Sequence, residues 1–253
     1  AVPLVNLATI LTASLAVSIV PAISEARALQ DTQRVYNQTA AAVRISNFVC
    51  FPAFVVVLVL ATPISTLIYN APGAGPAVLI SSFSIVLLGL HQVSTAVLQG
   101  LGHPTIPMVN MILAAVVKVV LNWVLTAIPW LGIMGAAWAT AADMGVAAVI
   151  NLYFIWRYFG YRLEFLQLLR TVAAAAVMAG AVHLFYSAVM ETLAVNAVAT
   201  FGAVFVGVVV YFAVLLLIRG LLEEDMARIP FIGSLSIRFL RRIGVFHAAE
   251  GAK

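Results

Sequence analysis

Two ionisable residues stand where ionisable residues are expensive. Lys118 lies inside the apolar run TIPMVNMILAAVVKVVLNWVL, and Asp143 lies inside GIMGAAWATAADMGVAAVINLYF. A charge at mid-membrane costs about 2.5–3.5 kcal/mol on insertion scales, so each is a candidate for function by default. Counting inward from opposite ends of the two runs, at about 1.5 Å per residue, brings both to a similar depth, within reach across a short hairpin. Such a pair can form a cation or proton site, or present its ammonium to an anionic substrate in a water-filled cavity. It can equally be a neutralising ion pair that lets two helices dock. The sequence leaves both readings open.

Polar side chains recur at helical spacing around this pair. Asn110 and Asn122 share the run of Lys118, with Asn122 one turn beyond it on nearly the same face. Gln92, Thr95 and Gln99, with His91 beside them, form a stripe on the preceding run, and Asn6, Thr9 and Thr12 form another near the start of the chain. Stripes of this kind face protein or water rather than lipid. Each residue can be spent on an interhelical hydrogen bond of roughly 0.6–2 kcal/mol, or can help to wet an interior cavity. Lys118, Asn122, Asn110, Gln92, Thr95, Gln99 and Asn6 are therefore the candidate cavity residues.

Other chemistry is missing from the pattern. His91, His103, His183 and His247 are scattered over different segments, and no HExxH, GxSxG, Walker-type or paired-carboxylate arrangement occurs. The single cysteine, Cys50, sits in an apolar run and can build neither a disulfide framework nor a thiolate metal cluster. A retinal-type pigment would carry its lysine on the last helix rather than on the fourth. The expectation is a protein that is not an enzyme and needs no metal or cofactor.

The elements that must position these residues follow from composition. Apolar residues make up 64% of the 253 and charged residues 9%, against roughly half and a quarter in soluble domains. A core of this size cannot hide so much apolar surface, so the solvent is lipid. Windows of about 20 apolar residues bounded by Pro, Gly or charge give seven spans: 3–24, 45–68, 77–99, 105–128, 133–156, 170–190 and 196–219. They must be helices, because hydrocarbon offers the backbone no partner and the runs are about twice as long as barrel strands. The fold class is all-α, a polytopic membrane bundle over 1–219. Pro52 and Pro63 predict a kinked second span, and Gly132, Gly135, Ala136 and Ala139 predict a close helix contact at the start of the fifth.

The net charge of +4 points to topology and not to nucleic acid. Seven spans put Arg27, Arg34 and Arg44, then Arg157, Arg162 and Arg170, then Arg219, Arg228, Arg238, Arg241, Arg242 and Lys253 all on one face. The opposite connections, 69–76, 129–132 and 191–195, hold no basic residue. By the positive-inside rule the basic face, and with it the C-terminus, is cytoplasmic. Residues 220–253 read as a cytoplasmic amphipathic tail in which Arg238, Arg241 and Arg242 oppose Leu235, Phe239, Leu240 and Ile243, suited to the membrane surface. The opening Ala-Val-Pro-Leu has neither Met nor a basic n-region and reads as a cut edge, placed outside the cytoplasm and implying a preceding helix.

The stretch AVLQGLGHPTIPMVNMILAAVVKVVLNWVLTAIPWLGIMGAAWATAADMGVAAVINLYF closely resembles the second half of the polysaccharide flippases of the multidrug/oligosaccharidyl-lipid/polysaccharide exporter superfamily, in the branch of stage V sporulation protein B and the lipid II flippases. The shared elements are LQGLG followed by Pro, a KxxLN pattern on the next helix, and LGIMGAA opening the one after. SIVPAISEA resembles the family's eighth helix and EEDMARIP its C-terminal tail, so the resemblance covers nearly the whole chain. It implies fourteen helices in two lobes around a central cavity, with this chain as the C-terminal lobe, helices eight to fourteen. It implies transport of lipid-linked oligosaccharide or peptidoglycan precursor across the bacterial cytoplasmic membrane by alternating access. Partners would be the bilayer, the lipid-linked sugar and the missing N-terminal lobe. Lys118 and Asn122 match the KxxLN pattern and are its implied cavity residues, whereas Asp143 falls outside it. The last two spans would pack against the lipid tail, and the arginines that hold pyrophosphate would lie mainly in the absent lobe. The rival readings are a cation-coupled multidrug exporter of the same superfamily, and a non-transporting scaffold in cell-envelope assembly.

Overall fold

The computed structural model describes residues 2–218, so the expected tail with Arg238, Arg241 and Arg242 lies outside the described residues. Eight α-helices follow in order: α1 (Val2–Ala28), α2 (Thr32–Val59), α3 (Ala61–Tyr69), α4 (Gly75–Gly100), α5 (Thr105–Thr126), α6 (Ile133–Phe159), α7 (Phe165–Leu193) and α8 (Asn196–Leu217). A 3₁₀ turn, Pro72–Ala74, leads into α4. Among the described residues seven helical stretches are long and apolar enough to cross a membrane.

The second span departs most from its expected bounds. Its helix begins at Thr32 rather than at residue 45, because Asp31 caps it by accepting the Arg34 N–H at 2.8 Å and an alanine-rich first half favours helix. An apolar window marks where hydrocarbon begins, not where a helix does. At 28 residues and about 1.5 Å each, α2 is longer than the roughly 30 Å of hydrocarbon and carries Arg34 and Arg44 on its protruding end. The expected basic loop after α1 thus shrinks to a turn at residues 29–31, braced by an Arg34–Glu25 ion pair of 2.9 Å. Beyond Pro52 the helix continues; it breaks at Leu60 and restarts as α3, with Pro63 in the new first turn, where its missing N–H is tolerated.

The centre of the bundle is α4, which packs on α1, α2, α3 and α6. Ile23, Val93, Val97, Leu98 and Ile155 bury the seam among α1, α4 and α6. α5 leans almost wholly on α6, and α7 and α8 pair with each other and join the rest through α2 and α3. Met178, Val182, Tyr211 and Leu215 fill that second seam against Phe48 and Leu60. Two polar contacts pin the α7–α8 pair. At one end Arg44 Nη1 donates to both Glu164 oxygens at 3.1 and 3.2 Å, and at the other Asn196 Nδ2 donates to the Pro63 carbonyl at 3.1 Å.

Candidate functional site

A cleft of about 420 Å³ opens between α1, α4, α5 and α6, roofed by Tyr69 and Ala74. Asn6, Ser81, Ser84, Lys118 and Thr140 give it polar points on a largely apolar wall. Lys118 Nζ lies 3.2 Å from Asp143 Oδ2, bridging α5 and α6 near the middle of each. The partners are unequally placed, since the Asp143 side chain is 13% exposed and that of Lys118 is 40% exposed. The carboxylate is sunk between helices while the ammonium reaches into the cleft. Asp143 is the one hydrogen-bond partner of Lys118 among the described residues, and an ammonium has three donors, so two remain to meet an anion or water.

Small residues set the approach of these two helices. At Gly135 a Cβ would fall 2.6 Å from the Leu125 carbonyl, so α6 presses on the α5 backbone there, while Ala139 is fully buried beside it and Ala136 lines the cleft. Gly132, at φ 44, serves instead as the turn that starts α6.

The remaining sequence candidates divide. Asn6 shares the cleft with Lys118. Gln92, Thr95 and Gln99 line a separate groove of about 520 Å³ between α4 and α1, where Gln92 Oε1 accepts the Thr12 hydroxyl at 2.6 Å. Asn110 is buried and donates through Nδ2 to Asn151 Oδ1 at 2.8 Å. Asn122 is exposed on α5 and is not among the residues lining either space.

Asn151 is the residue that sequence reasoning missed. It is fully buried, and its Nδ2 donates to Thr95 Oγ1 at 3.0 Å and Ser94 Oγ at 3.3 Å, so one amide ties α4, α5 and α6 together. The available signal was its place two turns beyond Asp143, on the same face of α6 with Ala147 between them. Among the described residues no group of three His, Cys, Asp or Glu is arranged to hold a metal.

Seven described helices long and apolar enough to cross a membrane, four of them around a cleft that offers one lysine, define a multi-pass helical membrane protein. The family described as lipid II flippase MurJ matches residues 4–216, and the chain belongs to that family. Among curated proteins it is 29% identical to an uncharacterized membrane protein, YabM, of Bacillus subtilis, over 95% of this chain and 46% of that one. It is 27% identical to stage V sporulation protein B of the same organism, over 94% of this chain and 46% of that protein. A probable low-salt glycan biosynthesis flippase of Haloferax volcanii is 24% identical over 83% of this chain and 44% of its own. The chain thus spans about half the length of the curated relatives it matches. Its fold is shared with a solved lipid II flippase MurJ in an inward closed conformation, at a TM-score of 0.66 and 16% identity, over 87% of this chain and 45% of that one.

Proposed function

We propose that this chain is the C-terminal half of a flippase that moves a lipid-linked oligosaccharide or peptidoglycan precursor across the cytoplasmic membrane by alternating access. The observation that carries this reading is Lys118 in the cleft of a chain that belongs to the lipid II flippase family. The substrate of such a transporter carries phosphate between lipid and sugar, and a lysine with free donors in a low-dielectric cleft suits that anion. Asp143 pairs with the ammonium, Asn6 offers its amide to polar groups that pass, and Ser81 and Thr140, whose hydroxyls donate to the Ala77 and Ala136 carbonyls, offer oxygens that accept. The partner lobe is the N-terminal half of the same protein, and the segregation of basic residues supports a cytoplasmic C-terminus. The matched family and relatives give no support to a cation-coupled drug exporter.

The test is an accessibility assay for lipid-linked precursor in cells that depend on the full-length protein. Lys118→Ala lowers flipping by about ten-fold or more, the worth of a charge-assisted hydrogen bond, while Lys118→Arg retains most of it at equal protein level. Unchanged flipping in Lys118→Ala would favour the scaffold reading. Restoration by adding Asp143→Ala would assign the pair to helix docking alone.

A further inference from the structure

The connection between α6 and α7, residues 160–164, is fixed at both ends and open in the middle. Gly160 closes α6 in left-handed backbone, φ 68, with its N–H on the Trp156 carbonyl at 2.9 Å. Tyr161 is 4% exposed and packs its ring on Tyr36 at 5.4 Å between centroids. Burial, with Glu164 and Tyr36 close by, pushes its phenol above the ordinary value, so it stays neutral. Glu164 is held by Arg44. Between these anchors Arg162 and Leu163 are exposed, and with Leu152, Trp156 and Tyr161 they line an open surface cavity of about 230 Å³. Arg162 and the neighbouring Arg157 have no ion-pair partner among the described residues.

Depth identifies what this cavity meets. α6 has 27 residues and is about 40 Å long, so its ends emerge from roughly 30 Å of hydrocarbon into the headgroup layer. Trp156 and Tyr158 are 44% and 54% exposed there, where amphipathic rings settle. Phe165, Leu166 and Leu169 expose apolar side chains at the same end of α7. The cavity therefore has an apolar floor at acyl-chain depth and an unpaired guanidinium at headgroup depth.

We infer that this cavity binds an anionic phospholipid of the surrounding leaflet, with Arg162 on its phosphate, Arg157 adding to the local field, and the upper acyl chain lying on Leu152 and Leu163. Because the connection is pinned by Tyr161 and Glu164, little chain entropy is lost when a headgroup docks, which separates a site from diffuse attraction. The inference depends on membrane insertion and is independent of the flippase reading.

The test uses the full-length protein in phosphatidylcholine bilayers with Trp156 as its only tryptophan, quenched by acyl-brominated phosphatidylglycerol or phosphatidylcholine. Phosphatidylglycerol is preferred about five-fold, the usual effect of one basic residue at the membrane surface. Arg162→Gln brings the ratio to about one, and Arg27→Gln, an exposed basic residue at the end of α1, leaves it unchanged. Equal quenching by both lipids in the parent protein would overturn the inference. So would an equal loss in Arg27→Gln, which would mean diffuse surface potential. Unlabelled lipid-linked pyrophosphate sugar at the concentration of phosphatidylglycerol does not relieve quenching; if it does, the cavity belongs to the transported substrate and not to a resident phospholipid.

Discussion

Lys118 and Asp143 respond differently to losing each other because they are buried differently. Lys118→Met leaves a carboxylate that is 13% exposed and without its ion-pair partner, whereas Asp143→Leu leaves an ammonium that is 40% exposed and can turn into the cleft. Breaking a fully buried pair costs about 3–5 kcal/mol. Partial exposure reduces that to about 2–3 kcal/mol for Lys118→Met and to about 1 kcal/mol for Asp143→Leu. The double variant should lie above Lys118→Met in thermal unfolding of the full-length protein in detergent, since no charge is stranded. A double variant less stable than both singles would show that the two side chains are not coupled. These two residues were legible in the sequence because charge inside an apolar run is rare. Asn151 was not, because an uncharged amide in a long helix is ordinary, and only the approach of Asn110, Ser94 and Thr95 from two other helices gives it a role. The separation of Gln92, Thr95 and Gln99 from the Lys118 cleft was equally hidden. Spacing along α4 says which residues share a face, but not which neighbour that face meets.

At the scale of elements, the existence and order of the helices were readable and their ends were not. Hydropathy measures the membrane while capping and proline measure the helix, and on α2 the two disagree, with Asp31 starting it early and Pro63 forcing a restart. The small-residue face at the start of α6 was also readable, but which of its members matters needed the partner. At Gly135 an added methyl would meet the Leu125 carbonyl carbon and oxygen at 2.6 Å, atoms of the α5 backbone that cannot swing aside. Gly135→Ala is expected to force α5 and α6 apart and to cost about 1–3 kcal/mol, as overpacking does. Gly180, exposed on α7, has nothing within 4 Å of the same position, so Gly180→Ala is the matched control and should be neutral or slightly stabilising. Both are read by thermal unfolding in one detergent. Equal stability of the two variants would mean that α5 and α6 separate freely at that point.

At the scale of the molecule, the uncovered surface is of two kinds. The exposed side of α8 presents Val198, Phe201, Phe205, Val208 and Phe212, and α8 is the most apolar of the seven spans, as a lipid-facing helix should be. α1 is the least apolar span, borders both the Lys118 cleft and the Gln92 groove, and exposes Asn6, Ser14 and Ser18. The Ser14 and Ser18 hydroxyls donate within α1, to the Ile10 and Leu15 carbonyls, yet their oxygens can still accept, and lipid supplies no donor, whereas beside a second lobe, across a cavity that admits water, they are solvated or paired. On the function proposed above, the side of α1 is where the other half of the full-length protein is expected to stand, with the cleft between the halves. Cys50 is buried under Gly89 and gives little background for a thiol assay. In full-length protein otherwise free of cysteine, Ser14→Cys should react with a water-soluble maleimide several-fold faster than Phe205→Cys, although Phe205 is 71% exposed in this chain. Lipid on one and intermittent water on the other produce that order. Equal slow labelling at both positions would put α1 in lipid and move the lobe boundary to α5, whose membrane-spanning window is the least buried of the seven.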